Sequence, residues 1–204
     1  MNAPVVFLDK DGTLVENVPY NVDPERITLA AGAASGLRRL ARAGYHFVVV
    51  SNQSGVARGY FKEDDLQVVT RRLRALFHQA AGICLDGFYY CPHHPQGVVP
   101  RYSRQCKCRK PQPGMLLTAA KELEINLKRS WMVGDILDDV EAGNRAGCRT
   151  VLLDNGNETV WQAGPYRKPD FTTASLAEAA EVILSQAYGS LDIARNEIPP
   201  IQEQ

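Results

Sequence analysis

The sequence lacks an excess of charge of either sign. Its 204 residues contain 23 Lys and Arg and 23 Asp and Glu, so the formal net charge at pH 7 is zero. Proteins that bind nucleic acid or an anionic membrane surface normally carry a clustered excess of cations. We therefore expect neither partner, and we expect the ligand to be a small molecule.

Long apolar runs are also missing. Runs such as Phe47–Val50 are far shorter than the roughly 20 residues that cross a bilayer. The first residues have no cationic start and soon reach Asp9, which is not the pattern of a signal peptide. The five cysteines are odd in number, and a chain of this size folds without disulfides. These features predict a cytoplasmic protein without a disulfide framework.

The apolar residues, 45% of the chain, form short runs that alternate with segments of helical period. This alternation is typical of a parallel sheet with helices on both faces. The predicted strands cover residues 4–8, 45–50, 86–90, 130–133 and 150–153, and the predicted helices cover 33–43, 63–81, 115–123, 138–146 and 175–187. We predict one Rossmann-like α/β domain over residues 1–188, a C-terminal tail over 189–204, and a monomer.

Two carboxylates follow the first predicted strand, in the segment DKDGT. Ligands of open parallel sheets bind beyond the carboxyl ends of the strands. At such a position Asp9 is ionised at neutral pH and can act as a nucleophile, whereas Asp11 would carry the proton for a leaving alkoxide. The two carboxylates could also hold a divalent metal. Taken alone, DKDGT is equally compatible with a capped turn.

Three further groups of polar residues lie at or near the ends of other predicted elements. Ser51 and Asn52 follow the second strand and offer a hydroxyl and an amide to phosphate oxygens. Lys110 lies just before a helix, whose N-terminus favours anions. Asp135 follows the fourth strand in the segment GDILDD. Each could be a cap, a turn residue or a solvated cation, but together they favour a site for phosphoryl transfer.

A compact set of possible metal ligands lies in the segment 91–108. Three thiols and one imidazole are arranged as Cys-x-His and Cys-x-Cys: Cys91, His93, Cys106 and Cys108. Four such ligands make a closed tetrahedral zinc site, which indicates a structural ion. We choose His93 over His94 because its spacing mirrors that of the second pair. The alternative is that these cysteines are free and bind no metal. If zinc is bound, it would fix the position of the segment that continues into Arg109 and Lys110.

Together these segments resemble the four motifs of the haloacid-dehalogenase-like phosphatases, over about residues 5–153. The resemblance implies the Rossmann-like fold, a Mg²⁺ cofactor and an aspartyl-phosphate intermediate. It makes Asp9 the nucleophile and Asp11 the general acid, which later becomes the base for the hydrolytic water. Mg²⁺ would be held by the carboxylates of Asp9 and Asp135 and by the backbone carbonyl of Asp11. Ser51 and Lys110 would stabilise the transferring phosphoryl group.

The chain is too short to contain a large cap domain in addition to the predicted α/β domain. We therefore expect loops to select the substrate. The candidate substrate contacts are Asn17, Tyr20, Ser51, Asn52, Gln53, Ser54, Arg58, Arg109 and Lys110. The segments SNQSGVARGYF and CPHHPQG…CKCRKPQPGM resemble those family members that remove the 7-phosphate of a heptose bisphosphate. That resemblance implies a role in making nucleotide-activated heptose for bacterial surface polysaccharide.

Other functions stay open at this point. Histidinol-phosphate phosphatases share the idea of a zinc loop, but their loop is shorter and their second motif differs from SNQSGVARG. A polynucleotide-end phosphatase would use the same catalytic motifs together with a cationic groove. A binding module that contains a zinc knuckle would also need clustered cations, and these are scarce beyond residues 101–110.

Overall fold

The computed structural model describes residues 3–195, and it describes the side chains of residues 3–187. The strands are β1 Val5–Leu8, β2 His46–Asn52, β3 Gly87–Cys91, β4 Trp131–Gly134, β5 Arg149–Leu153 and β6 Phe171–Thr173. The α-helices are α1 Ala33–Arg42, α2 Leu66–Ala81, α3 Gly114–Glu122, α4 Leu137–Ala146 and α5 Leu176–Arg195. Short 3₁₀ turns are present at Pro24–Arg26, Glu63–Asp65 and Leu127–Arg129.

The strands pair in one parallel sheet with the order β3-β2-β1-β4-β5-β6. β1 lies near the centre, and all of its apolar side chains are buried. Phe7, for example, is aligned with Val48 of β2 and with Met132 of β4. Inner strands of a parallel sheet are covered on both faces, so continuous apolar runs such as VVFL are the sequence that fits them.

Helices cover both faces of this sheet, as the sequence predicts. Val6 and Leu8 belong to the core on the side of α1, α2 and α5, whereas Val5 and Phe7 belong to the core on the side of α3 and α4. Successive side chains of a strand point to opposite faces, so each central strand contributes to both cores. The Rossmann-like α/β fold class is confirmed.

The described chain has no large cap domain. Between β1 and α1 it forms loops and one 3₁₀ turn, and residues 92–113 between β3 and α3 contain no helix or strand. Within residues 3–195 no helix is long and apolar enough to cross a membrane. The carboxyl ends of β1, β2 and β4 meet at one open edge of the sheet, where the predicted site residues lie.

The structure differs from the predicted elements at three places. β6 was not among the predicted strands; its three partly exposed residues pair only with β5 at the edge of the described sheet. The first residues of the predicted helix 63–81 form a separate 3₁₀ turn. Helix α5 continues to Arg195, past residue 188, where we placed the end of the domain. The rest of the predicted tail, residues 196–204, lies outside the described residues, so this boundary stays a prediction.

Candidate active site and metal centre

Three buried carboxylates converge at the carboxyl ends of β1 and β4. Asp9 directly follows β1, Asp135 directly follows β4, and Asp139 lies in the first turn of α4. One oxygen from each lies within 4.8 Å of the other two. The backbone N–H of Asp9 donates to the carbonyl of Val133 at 2.9 Å, which ties the end of β1 to β4. The parallel pairing of the two strands therefore creates this acidic cluster.

Lys110 supplies the positive charge in this cluster. Its ammonium lies 2.5 Å from Asp9 Oδ1 and 2.6 Å from Asp139 Oδ1, and it donates to the carbonyl of Val50 at 3.0 Å. The side chain is only 2% exposed. Burial alone would lower the pKa of Lys110, but the carboxylates of Asp139 and Asp9 outweigh burial and raise it. The lysine therefore stays charged inside the site.

The remaining negative charge suits a divalent cation. Burial, followed by repulsion from Asp9 and Asp139, raises the pKa of Asp135 to about 8. Burial also raises the pKa of Asp139 to about 7, although Lys110 opposes the shift. Carboxylate oxygens gathered in this way are the ligands that Mg²⁺ prefers, and a bound cation would stabilise their ionised forms. The residues present therefore fit a Mg²⁺ site.

Asp11 has the environment expected of a proton donor. Burial raises the pKa of this carboxyl above its ordinary value, and the neighbouring Lys10 opposes the shift. Lys10 is itself buried and forms an ion pair with Asp11. The raised pKa favours the protonated acid that a leaving alkoxide requires.

Gly12 lets the backbone turn between these groups. Its φ is +82°, a conformation that side chains rarely adopt. A Cβ at this position would lie 2.1 Å from Asp135 Oδ2 and 2.5 Å from Asn157 Nδ2. Any residue larger than glycine would therefore push on the carboxylate of Asp135.

The end of β2 forms a second wall of the site. Ser51 is buried, and its hydroxyl accepts a hydrogen bond from Gln53 Nε2 at 2.8 Å. Asn52 pairs with the backbone of Lys110 in both directions, at 3.0 Å from Lys110 N–H to Oδ1 and at 3.1 Å from Nδ2 to the Lys110 carbonyl. Asn52 and Gln53 thus support the site from behind, while Ser51 and Asn52 also line its cleft.

The cleft itself has a volume of about 210 Å³ and is lined by Asp9, Asp11, Asn17, Ser51, Asn52, Lys110, Asp135, Ile136 and Asn157. A larger groove of about 690 Å³ lies between residues 56–65 and 99–102. That groove contains none of the three clustered carboxylates, so the smaller cleft is the candidate active site.

The other predicted substrate contacts lie outside the lining of this cleft. Tyr20 is exposed and packs edge-on against Tyr60, with ring centroids 4.6 Å apart. Ser54 is half-buried, and its carbonyl accepts from the N–H of Arg58 at 3.0 Å. Arg109 donates to the carbonyl of His93 at 3.4 Å. Direct contact of these side chains with substrate stays a prediction.

Arg58, His94 and Arg109 form a cluster on the side of the metal loop. One guanidinium nitrogen of Arg58 lies 3.2 Å from His94 Nε2. Burial, Arg109 and Arg58 together lower the pKa of His94, so the imidazole is held neutral between two cations. Arg58 Nε is buried, and among the described residues it has no hydrogen-bond partner.

The predicted zinc ligands also come together. The Sγ atom of Cys108 lies 3.2 Å from that of Cys91, 3.3 Å from that of Cys106 and 3.5 Å from His93 Nδ1. These separations exceed a disulfide bond of about 2.05 Å, and all three cysteines are free. The backbone N–H of Arg109 donates to Cys106 Sγ at 3.4 Å.

His94, the alternative ligand, is not part of this cluster of four side chains. Its Nδ1 accepts a hydrogen bond from the N–H of Gln96. The contact with Cys91 lowers the pKa of Cys108 to about 5, which favours a thiolate in the cluster. The donor set of three sulfurs and one nitrogen therefore fits zinc.

Comparison with known proteins bears directly on this site. The chain is 39% identical to a D-glycero-beta-D-manno-heptose-1,7-bisphosphate 7-phosphatase of Haemophilus ducreyi over 178 residues, which cover 87% of this chain and 97% of that protein. It is 38% identical to the enzyme of the same name from Escherichia coli K12 over 186 residues, 91% of this chain and 96% of the relative. The chain belongs to the haloacid-dehalogenase-like phosphatases.

Two further comparisons agree with this family. Residues 107–179 match the HAD-hydrolase-like family model. The fold is similar to the crystal structure of D,D-heptose 1,7-bisphosphate phosphatase from B. bronchiseptica complexed with magnesium and phosphate, with a TM-score of 0.76 and 30% identity. That similarity covers 90% of this chain and 99% of the other. This haloacid-dehalogenase-like phosphatase is therefore an enzyme, as the motifs predict.

Five residues of the candidate site were not among the predicted contacts: Lys10, Thr13, Ile136, Asp139 and Asn157. Asp139 left a signal in the sequence, because it shares one helical face with Ala142, Gly143 and Ala146. A carboxylate on such a face must be paired when it is buried. Thr13 donates to Asp135 Oδ1 at 3.1 Å, a contact between distant residues that no local pattern predicts.

Proposed function

We propose that this phosphatase removes the 7-phosphate of D-glycero-D-manno-heptose 1,7-bisphosphate in a Mg²⁺-dependent reaction. The observation that carries the proposal is the match to named heptose bisphosphate phosphatases over 97% of the length of one relative. The product would serve the synthesis of nucleotide-activated heptose for bacterial surface polysaccharide. The expectation of a cytoplasmic monomer stays a prediction.

In the first step, a carboxylate oxygen of Asp9 attacks the phosphorus in line with the bond to the sugar oxygen. The new bond is an acyl phosphate on Asp9, and the broken bond releases the sugar oxygen as an alkoxide. Asp11 donates its proton to that alkoxide. Lys110 and the hydroxyl of Ser51 lie in the same cleft and stabilise the charge on the transferring phosphoryl oxygens.

In the second step, a water molecule attacks the phosphorus of the acyl phosphate. Asp11, now ionised, accepts a proton from this water, and the bond to Asp9 breaks to restore the carboxylate and release inorganic phosphate. The burial that raises the pKa of Asp11 allows it to serve as acid and then as base.

Two metals have different roles in this proposal. Mg²⁺ would be held by the carboxylates of Asp9 and Asp135 and by the backbone carbonyl of Asp11, and would neutralise charge on the phosphoryl group. Zinc would be held by the three thiolates and His93. The zinc would be structural, because its four ligands leave no open position.

The donors beside the metal loop would recognise the second phosphate. Arg58 and Arg109 both act electrostatically on His94, and none of the salt bridges among the described residues involves either arginine. Guanidinium groups suit the bidentate recognition of phosphate. A bisphosphate could therefore place one phosphate in the cleft and the other near these arginines.

The test is phosphate release with Mg²⁺ from the α and β anomers of the heptose bisphosphate, histidinol phosphate and a phosphorylated oligonucleotide. We expect the highest kcat/KM for one heptose anomer and loss of the 7-phosphate only, read by ³¹P NMR. Asp9→Asn keeps the shape of the nucleophile and should abolish turnover, which excludes a contaminating phosphatase. A higher kcat/KM for either other substrate would overturn the assignment.

A further inference from the structure

Residues 154–158, which follow β5, come after the last of the four motifs in the sequence. They nevertheless contact the loops that follow β1 and β4. Asn155 Nδ2 donates to the carbonyl of Gly12 at 2.7 Å, in the loop that follows β1. Glu158 Oε2 accepts from the N–H of Leu137 at 2.6 Å, at the start of α4. The segment is therefore hydrogen-bonded both to the loop that carries Asp9 and Asp11 and to the start of α4, next to Asp135.

Between these two anchors, Asn157 is half-buried and lines the cleft. Its backbone N–H donates to Asn155 Oδ1 at 3.3 Å, which fixes the local turn. Its Oδ1 accepts from Asn17 Nδ2 at 3.2 Å. Its Nδ2 lies beside the carboxylate of Asp135 above Gly12: a Cβ built on Gly12 would be 2.5 Å from this nitrogen and 2.1 Å from Asp135 Oδ2. The amide also lowers the pKa of Asp135, against the larger effect of burial. Both ends of the carboxamide are thus used.

We infer that Asn157 is a positioning residue that holds Asp135 at one end of its carboxamide and Asn17 at the other. The inference rests on the proposed function, in which Asp135 binds Mg²⁺ and Asn17 contacts substrate. A neutral carboxamide can donate and accept at once. An aspartate at position 157 would repel Asp135, and an apolar residue would leave it without this amide neighbour.

The contact with Asp135 should act on metal affinity. Partners that orient a metal ligand commonly change affinity by about 10–100-fold when they are removed. We expect Asn157→Ala to weaken Mg²⁺ binding by about tenfold in isothermal titration calorimetry. Thr159→Ala, an exposed change in the same segment, is the control and should leave Mg²⁺ binding unchanged. Thermal unfolding without Mg²⁺ should show that both variants fold like the wild type.

The contact with Asn17 should act on substrate binding. Asn17→Ala removes only that end of the arrangement, so we expect it to raise KM for the heptose bisphosphate with no change in Mg²⁺ affinity. Asn157→Ala should change both quantities. In the double variant KM should rise by less than the product of the two single effects, because the two asparagines share one contact.

The outcomes separate this inference from the proposed function. Mg²⁺ binding and the Mg²⁺ dependence of p-nitrophenyl phosphate hydrolysis need no heptose. They can support the role of Asn157 even if the heptose substrate is rejected. Wild-type affinity for Mg²⁺ in folded Asn157→Ala would overturn the inference, as would an equal loss in Thr159→Ala. No Mg²⁺ binding by the wild type would overturn both proposals.

Discussion

Replacement of Lys110 by methionine would remove the only cation that pairs with Asp9 and Asp139 among the described ion pairs. Methionine fills a similar volume, so the change creates little cavity and isolates the effect of charge. Two buried carboxylates would lose a partner that lies 2.5 Å and 2.6 Å away. Removal of one partner from a buried ion pair typically costs about 3–5 kcal/mol. We expect a loss of this size from the free energy of unfolding.

For a chain of this length, that loss corresponds to a decrease of about 6–20 °C in Tm. Urea unfolding followed by circular dichroism should measure the free energy directly. Lys121→Met, at an exposed position, is the matched control and should change stability by less than about 0.5 kcal/mol. Activity should fall by at least about 100-fold, because in the proposed mechanism the same ammonium stabilises the phosphoryl group.

A second variant tests whether charge is the cause. Lys110→Met combined with Asp139→Asn removes one of the isolated carboxylates, so it should be about 1–3 kcal/mol more stable than Lys110→Met alone. Additive losses in the double variant would show that the two residues are not coupled. A loss below about 1 kcal/mol in Lys110→Met would refute the argument from burial.

Cys106→Ser should reduce zinc from about one ion per chain, measured by elemental analysis, and should lower Tm, because bound metal contributes folding free energy; full stability together with a zinc-free wild type would contradict this. Arg109→Ala should lose about 1.5–3 kcal/mol of substrate binding, seen mainly in KM and more for the heptose bisphosphate than for p-nitrophenyl phosphate, and equal effects on the two substrates would count against it. The folded state raises the pKa of Asp135 to about 8 and of Asp139 to about 7, so it holds protons that the unfolded chain releases. In EDTA, urea unfolding should therefore show stability falling as pH rises from about 4 to about 8, and Mg²⁺ should reduce this fall; a rise over that range would be incompatible with the carboxylate cluster.

The central strands were predictable because short, continuous apolar runs indicate strands that are buried on both faces. The segments VVFL and HFVVV lie on inner strands. Each is followed directly by polar residues, which lie at the open edge of the sheet. The four motifs could be placed together because parallel strands bring their carboxyl ends to one edge. The thiols could be grouped because their spacing is local.

Other features depend on contacts that no local pattern encodes. β6 has no apolar run, and it exists as a strand only through its pairing with β5. Asn157 reaches Asn17, 140 positions earlier, through a loop whose path is set by its anchors on Gly12 and Leu137. The sequence does not show whether Lys10 is exposed or buried, because lysine is common in exposed turns. Its burial against Asp11 follows from the packing around β1. Long-range packing decided each of these cases.

The strand order has a consequence for synthesis of the chain. β1 leaves the ribosome first, but its neighbour β4 begins only at Trp131, so one edge of β1 has no partner until then. An unpaired apolar strand is prone to aggregate. The N–H of Asp9 also finds its partner only at Val133. A nascent chain that stops short of β4 therefore has neither a complete sheet nor a fixed end of β1, and the unpaired edge of β1 is a site for aggregation.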